Sequence, residues 1–492
     1  MSVFRKYLVP TLFLLLISVL YFGLRLPNLT SQPIFADEAI YIRWAQVMKS
    51  EPTLRFLPLS DGKTPLFMWV MIPFFKFFHD PLFAGRFLSV IAGFFSLFGI
   101  YLLSKKIFNW KVGLWASLFY VITPYTVFFD RMALVDSMVS AFTIWIIYFS
   151  IWLAQKVRLD LAMILGFILG GAWLTKTPAF LNLLLLPISV LAFKKGKGGT
   201  NSLLKLFLFW GVAIFIALFM YNSLRLGPNF HLLSSRNADY LFSPLELVGR
   251  PLDPFIPHFN DMSDWFPKLL TWPILIAGLI GIILVIKERN KKGLIVLLWG
   301  LIPLLLEMTF LRTFTARYLL SSIPLFLILA GFGIEKIAKK IPSIILIVLV
   351  LFSPLIFDYQ LLTNSPPQSL PKEERIGYFE DWTAGYGFKE IGSFLLEESK
   401  KEKIVIGTEG FFGTLPDGIQ IYLDKANVAI VGSTATISAQ IKTAAKTNKT
   451  YFIGNKKNLE GKVKDIIIIK EYPKAKSANG SFDSTVLYQV LP

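Results

Sequence analysis

The chain has 492 residues, of which 54% are hydrophobic, and it contains no cysteine. The absence of cysteine excludes disulfide bonds, thiolate metal sites and cysteine nucleophiles. Most of the formal net charge of +18 lies in the first 360 residues, in short basic segments between apolar runs, which is typical of a membrane protein and speaks against nucleic-acid binding.

Eleven apolar runs predict a polytopic helical membrane protein with about eleven transmembrane helices. Most are long enough to cross a bilayer core of about 30 Å as helices. The first run follows a basic start without a cleavage pattern, so we interpret it as a retained helix. The fifth and sixth runs are short and could form a tight helical hairpin. The runs are 7–24, 82–104, 108–125, 132–154, 160–174, 178–193, 203–222, 268–286, 293–311, 317–334 and 342–359.

The basic clusters between these runs predict the orientation of the chain. All of them fall on one side of the membrane if eleven spans alternate, and that side is expected to be cytoplasmic. We therefore expect a multi-pass plasma membrane protein with a cytoplasmic N-terminus and an extracytoplasmic C-terminus. The clusters lie near residues 5–6, 105–106, 156–158, 194–197, 287–292 and 336–340.

Two long loops, 25–81 and 223–267, are then placed on the outer side. Within the first, residues 36–48 have the pattern of an amphipathic helix. The aromatic-rich segment 65–78 is too short for an ordinary span and suits a second helix lying in the headgroup zone.

After Pro366-Pro367 the pattern changes to short β-type runs alternating with helical ones. The domain boundaries are therefore predicted as a membrane domain over 1–360 and a soluble, extracytoplasmic α/β domain over 361–492. The loop 407–418 follows a strand, where such sheets bind ligands, although a plain connection fits equally well. The predicted strands are 403–408, 427–432, 450–454, 465–470 and 484–490, and the predicted helices are 387–400 and 436–447.

Two adjacent carboxylates, Asp37 and Glu38, stand just after the first span. They could cap the helix that follows and complement its dipole. Alternatively, one could be a general base that deprotonates an acceptor hydroxyl. Burial in a partly dry pocket would raise the pKa of such an aspartate and improve it as a base.

Cationic side chains from four separate segments also reach the outer boundary of the membrane. Each could simply snorkel at a helix end, but together they fit a pocket for an anionic lipid headgroup, above all a phosphate. Asp136 could orient one of these cations, and Glu307, inside a span, could pair with Arg312. The four sites are Lys63, Arg131, Lys176 and Arg317 with Tyr318.

Several motifs in series resemble glycosyltransferase family 39, which includes dolichyl-phosphate-mannose protein mannosyltransferases and lipid A aminoarabinose transferases. The resemblance covers about residues 1–335, and DWTAGYGFKEIGSFL and IVIGTEGFFGTLPDG resemble the C-terminal domain of some prokaryotic members. It implies the GT-C fold, a polytopic helical core with its active site in the first outer loop. The motifs are DEAIY, KTPLFMWVMIPFFKFF, AGRFLSVIAGFFSLFGIYLLSKKIF, RMALVD, LTKTP and RYLLSSIP.

The resemblance implies inverting transfer of a sugar from a polyprenyl-phosphate donor to a protein, lipid or glycan acceptor. Asp37 matches the catalytic position, with Glu38 beside it, and Lys63 matches a lysine near the donor phosphate. Arg131 with Asp136, and Arg317 with Tyr318, match further pairs of the family, while Tyr41 and Lys176 lie in the matching motifs. Some relatives carry arginine where this chain has Ile40, so we expect Arg43 to supply that phosphate contact.

Three alternatives stay open at this stage. A transporter or flippase of a lipid-linked or anionic solute would place charges mid-span and usually show internal repeats. An oligosaccharide-transferring ligase would also suit the acid pair, whereas a non-catalytic scaffold leaves the boundary cations without a role. Cofactors and metals are not evident, since His79, His231 and His258 are scattered, but a divalent metal is not excluded.

Overall fold

The computed structural model describes residues 2–194, 200–250, 252–338, 343–363, 369–424, 426–459, 465–477 and 480–492. Parts of the basic clusters at 194–197 and 336–340, and the predicted domain change at Pro366-Pro367, lie outside these residues. The described chain is mostly helical and ends in a sheet domain.

Two of the helices in the first half of the chain, the second and the third, lie in the loop segment 25–81. The α-helices are α1 Ser2–Arg25, α2 Ala36–Ser50, α3 Leu66–Met71, α4 Pro81–Ile107, α5 Trp110–Ile122, α6 Pro124–Phe129, α7 Asp136–Gln155, α8 Leu159–Thr175, α9 Leu181–Leu185 and α10 Thr200–Asn222. Short 3₁₀ turns lie at Pro52–Leu54, Leu57–Asp61, Ile72–Lys76, Thr177–Phe180, Leu186–Ala192 and Ser223–Leu226.

The second half contains the second outer loop, the last membrane helices and the C-terminal domain. Its helices are α11 Leu232–Ala238, α12 Pro244–Val248, α13 Phe255–Leu269, α14 Trp272–Lys287, α15 Lys291–Phe310, α16 Ile323–Ile337, α17 Ser343–Thr363, α18 Lys372–Arg375, α19 Phe388–Lys401, α20 Asp417–Gln420, α21 Ala439–Ala445 and α22 Lys456–Leu459. A 3₁₀ turn covers Ala316–Ser321, and a π-helical turn covers Ile376–Glu380.

Five of the described helices are long and apolar enough to cross a membrane, which supports a membrane location. A sixth crossing is formed if α13 and α14, which are bent by 116°, count as one broken span. Every predicted apolar run overlaps a helix, although several of these helices are shorter than a full span. The number of eleven crossings therefore stays a prediction. The five helices are Pro81–Ile107, Asp136–Gln155, Ser202–Leu226, Lys291–Phe310 and Leu346–Thr363.

Glycines let α14 and α16 approach each other closely. A β-carbon at Gly281 of α14 would collide with the main-chain carbonyl of Leu329, and one at Gly333 of α16 would collide with that of Ala277. Small residues at such a crossing bring the helix backbones into van der Waals contact, which drives helix association where lipid removes the hydrophobic effect.

A buried ion pair fixes the end of α1. The guanidinium of Arg25 lies 3.1 Å from a carboxylate oxygen of Asp130 and also donates a hydrogen bond to the carbonyl of Val121. The hydroxyl of Tyr120 donates to the same carboxylate. Because both charges are fully buried, each needs the other to offset the cost of leaving water. This ion pair therefore fixes the position at which the loop 25–81 begins.

The C-terminal domain contains a five-stranded mixed sheet flanked by helices, as the sequence predicts. The strand order is β4-β3-β5-β7-β6, with parallel pairs around β3 and antiparallel pairs around β7. The strands β3 Ile404–Glu409, β4 Val428–Ser433, β5 Lys449–Asn455, β6 Ile466–Pro473 and β7 Ser484–Val490 overlap all five predicted runs. The last membrane helix, α17, runs to Thr363, slightly beyond the predicted boundary at 360.

The first outer loop and the C-terminal domain share a small sheet. Strand β1, Ile34–Phe35, pairs antiparallel with β2, Ala384–Gly385. The ammonium of Lys389 lies 2.7 Å from the carboxylate of Asp80, which caps α4. These contacts hold the N-terminus of α2, which directly follows β1, against the C-terminal domain.

Replacing Gly333 with Val should lower the midpoint of thermal unfolding in detergent, because the added side chain has to push α16 away from the carbonyl of Ala277. Overpacking of this kind costs about 1–3 kcal/mol or more. Gly211→Val is the matched control, since a β-carbon there meets no described atom within 4 Å. Equal unfolding midpoints for the two variants would contradict the close packing of α14 and α16.

Candidate active site

Asp37 lies in the first turn of α2, between two cations that come from different parts of the chain. One carboxylate oxygen is 2.7 Å from a guanidinium nitrogen of Arg317, and the other is 3.5 Å from the ammonium of Lys63. Arg317 belongs to the turn Ala316–Ser321, and Lys63 follows the turn Leu57–Asp61. The side chain of Asp37 is 19% exposed, so the cluster is partly shielded from water.

The two cations decide the protonation state of Asp37. Burial alone would raise the pKa of its carboxyl, but Arg317 and Lys63 outweigh that effect and lower the pKa to about 2. The raised pKa expected from the sequence is therefore wrong, because the cations hold the negative charge. The carboxylate is ionised at neutral pH, which is the state that a general base requires.

Aromatic rings surround Lys63. Its ammonium lies 5.1 Å from the ring centroid of Tyr41 and 5.8 Å from that of Trp44, both on α2. Tyr41 thus stands beside the cation. An ammonium near aromatic faces remains attracted to them without losing its ability to bind an anion.

A second charged pair lies next to Arg317. The ammonium of Lys176 is 2.7 Å from the carboxylate of Asp136 and 4.1 Å from the ring centroid of Tyr318. The guanidinium of Arg317 lies 5.4 Å from the same ring, so Tyr318 joins the two charged centres. Asp136 therefore orients Lys176, not Arg131.

A small cavity of about 40 Å³ adjoins this second centre and is lined by Asp136, Lys176, Tyr318 and Glu307, among others. The expected pairing of Glu307 with Arg312 is wrong, because the guanidinium of Arg312 lies 2.9 Å from the carboxylate of Glu246 in the second outer loop. Glu307 instead belongs to the wall of this cavity.

Glu38 does not share the environment of its neighbour Asp37. Its fully buried carboxylate accepts two hydrogen bonds of 2.8 Å from the guanidinium of Arg86. It also accepts from the backbone N–H groups of Ala133 and Phe35. We therefore correct the prediction that Glu38 is catalytic: its contacts fix the N-terminus of α2 against α4, because every oxygen is already held by donors.

Arg131 also serves the fold and not the site. Its guanidinium donates hydrogen bonds of 2.7–2.9 Å to the main-chain carbonyls of Arg25, Pro27 and Asn28 at the end of α1. The prediction that Arg131 binds phosphate is corrected, because these donors already satisfy unpaired carbonyls at the helix terminus.

Arg43 points to the C-terminal domain. Its guanidinium lies 2.8 Å from the carboxylate of Asp424, and the neighbouring Gln46 donates a hydrogen bond to the carbonyl of Ile421. The expectation that Arg43 supplies a phosphate contact is therefore corrected. Its charge instead ties α2 to the segment that follows α20.

Sequence reasoning missed the part of the site that comes from the C-terminal domain. The ring of Tyr378 packs 4.4 Å from that of Phe35, and the carboxylate of Glu374 accepts a hydrogen bond from the backbone N–H of Ala316, next to Arg317. No local pattern signals these contacts, since they join segments about 60 and more than 300 residues apart.

The loop 407–418 lies beside α2. The ring of Phe412 is 5.9 Å from that of Trp44, which in turn borders Lys63, and Phe411 is 69% exposed. The predicted ligand-binding role of this loop stays a prediction, but its position next to the charged cluster suits such a role.

Comparison with known proteins identifies a related family model and related folds. A family model described as dolichyl-phosphate-mannose-protein mannosyltransferase matches residues 62–223. The structure of ArnT from Cupriavidus metallidurans in the apo state is 14% identical, with a TM-score of 0.56 over 97% of both chains. The chain has the GT-C fold. The resemblance inferred from the motifs is thus confirmed.

Two further solved structures share the fold of this GT-C protein. ArnT from the same organism bound to undecaprenyl phosphate is 14% identical, with a TM-score of 0.55 over 97% of both chains. The oligosaccharyltransferase AglB from Archaeoglobus fulgidus, in complex with an inhibitory peptide and a dolichol-phosphate, is 11% identical and has a TM-score of 0.53. That match covers 98% of the GT-C protein and 74% of AglB. Comparison with curated proteins gives no match.

The described residues offer no cluster of three or more histidine or carboxylate side chains that could hold a metal ion. The charged groups of the site are instead arranged as cation–carboxylate pairs, which can exchange a carboxylate for a phosphate.

Replacing Arg317 with Ala should raise the pKa of Asp37, because burial is then opposed by Lys63 alone. We expect the midpoint for carbodiimide labelling of Asp37, followed by mass spectrometry against pH, to rise by at least about one pH unit. Arg312→Ala is the matched control, since Arg312 holds Glu246 in the second outer loop. An unchanged midpoint in the Arg317 variant would show that Arg317 does not hold the carboxylate.

Proposed function

We propose that the GT-C protein is an inverting glycosyltransferase that moves a sugar from a polyprenyl-phosphate donor to an acceptor hydroxyl at the outer face of the membrane. The observation that carries the proposal is the carboxylate of Asp37 held between Lys63 and Arg317. The match to a mannosyltransferase family model and the fold shared with ArnT, which binds undecaprenyl phosphate, support it.

In this mechanism the donor already carries its leaving group, a phosphate on a lipid. The acceptor oxygen attacks the anomeric carbon from the side opposite the phosphate, and the bond between that carbon and the phosphate oxygen breaks. Its electron pair stays on the lipid phosphate, while the acceptor proton passes to Asp37. The configuration at the anomeric carbon is inverted because a single in-line displacement takes place.

Lys63 and Arg317 bind first Asp37 and then the donor phosphate. Before the donor arrives, Lys63 and Arg317 neutralise Asp37. A donor phosphate competes for the same cations, which stabilises the leaving group as its charge develops. The weaker hold on Asp37 then raises the pKa of its carboxyl, since burial is less opposed. Phosphate binding thus makes Asp37 a better base.

The second charged centre extends the site. We assign Lys176 and Tyr318 to binding the donor phosphate or the lipid next to it, with Asp136 as the residue that orients Lys176. Tyr41 supports Lys63 from α2. The steps proposed here need no organic cofactor, because the lipid phosphate is itself an activated leaving group.

The setting of the reaction follows from the charge pattern of the loops. We propose a multi-pass plasma membrane protein with a cytoplasmic N-terminus and an extracytoplasmic C-terminal domain. Membrane lipids, the polyprenyl-phosphate sugar and a protein, lipid or glycan acceptor are its partners. The loop 407–418 stands where an acceptor could reach α2 from outside.

Replacing Asp37 with Asn should lower the rate of sugar transfer from a radiolabelled polyprenyl-phosphate donor by a factor of about 10²–10⁴, because the general base is lost. Binding of undecaprenyl phosphate should be kept or strengthened, because Lys63 and Arg317 lose their internal counterion. Asp253→Asn, at an exposed aspartate paired with Arg250, is the control and should transfer normally. A fully active Asp37 variant would rule out Asp37 as the base.

A further inference from the structure

Asp61 is a second carboxylate that competes for Lys63. Its carboxylate oxygen lies 3.4 Å from the ammonium of Lys63, almost the same as the 3.5 Å that separates this ammonium from Asp37. The other oxygen of Asp61 is 2.6 Å from the guanidinium of Arg236, which belongs to α11 in the second outer loop. Lys63 is thus shared by two carboxylates, and each has a second cationic partner: Arg317 for Asp37 and Arg236 for Asp61.

The second outer loop packs directly onto the segment that carries Lys63. Gly62 has a φ of +68° and lies so close to Arg236 that a β-carbon would collide with the β-carbon of Arg236. The side-chain amide of Asn237 donates a hydrogen bond of 3.5 Å to the carbonyl of Gly62. The position of Arg236 relative to Asp61 is therefore set by backbone packing, and not only by a flexible side chain.

The charge that Lys63 offers to a phosphate depends on how strongly Asp61 holds it. A carboxylate with two cationic partners draws less on each of them than a carboxylate with one. The side chain of Asp61 is 17% exposed and that of Arg236 is 47% exposed, so water screens the attraction between them only in part. Arg236 therefore weakens the electrostatic attraction between Asp61 and Lys63.

We propose that Arg236 is a positioning residue that keeps Lys63 available to the lipid phosphate by neutralising Asp61. The proposal rests on the proposed function, because it assigns to the second outer loop control over the phosphate affinity of that site. Arg236 acts through Asp61 and need not touch the substrate.

The proposal makes a specific claim about pairs of variants. Arg236→Ala leaves Asp61 with Lys63 as its remaining close cation, so binding of undecaprenyl phosphate should weaken by about twofold to fivefold, the effect of one ion pair whose guanidinium is half exposed. Arg236→Lys should restore most of it. In the double variant Asp61→Asn with Arg236→Ala, the carboxylate that captures Lys63 is gone, so binding should return to the level of Asp61→Asn alone.

Titration of the purified full-length protein with undecaprenyl phosphate in detergent, followed by tryptophan fluorescence, tests this claim. Size-exclusion chromatography checks that each variant is folded. Where transfer is measured, Arg236→Ala should raise KM for the donor and change kcat less. Arg250→Ala is the matched control, because Arg250 forms an exposed pair with Asp253 in the same outer loop.

The outcomes separate the inference from the proposed function. If the wild-type protein binds undecaprenyl phosphate and Arg236→Ala binds it as well as Arg250→Ala does, the inference is overturned and the proposed function is not. It is also overturned if the double variant stays as weak as Arg236→Ala, since Arg236 would then act without Asp61. If the wild-type protein does not bind the lipid phosphate, both fall. If it binds but transfers no sugar, only the transferase proposal fails.

Discussion

The salt-bridge cluster of Asp37, Lys63 and Arg317 is the interaction on which the site depends. Three largely buried charges are costly to hold singly, and they are stable here because each offsets the desolvation of another. The same arrangement keeps the carboxylate ionised and holds two cations ready for an anionic ligand. Under the proposed function, the contacts that stabilise this cluster are also the ones that a donor phosphate would replace.

Neighbouring segments hold these three residues in position. The buried Glu38–Arg86 pair fixes the first turn of α2, and the β1–β2 sheet fixes the residues just before it. Glu374 holds the backbone next to Arg317. The C-terminal domain is therefore part of the site's framework, and a change in how it docks would be felt at Asp37.

The charged residues around this cluster divide into two groups with different contacts. The first group is buried in the fold. Glu38 pairs with Arg86, Arg25 pairs with Asp130, and Arg131 donates hydrogen bonds to main-chain carbonyls. Asp37 and Lys63 keep part of their surface open and are held by other charged side chains, which a ligand can replace. The second group is therefore distinguished by charged partners that a ligand can replace, and not by charge alone.

The sequence by itself determined the membrane class, the helical runs, the presence of a C-terminal sheet domain and the candidate carboxylate with two of its cations. These follow from local patterns, since hydropathy and alternation report how each segment meets lipid, water or a core. The roles of Glu38, Arg131 and Arg43, the pairing of Lys176 with Asp136 and the lowered pKa of Asp37 were decided by tertiary structure alone. Sequence spacing shows that a charge is present, but its partner comes from a distant segment, and that partner fixes whether the charge supports the fold or remains available for chemistry.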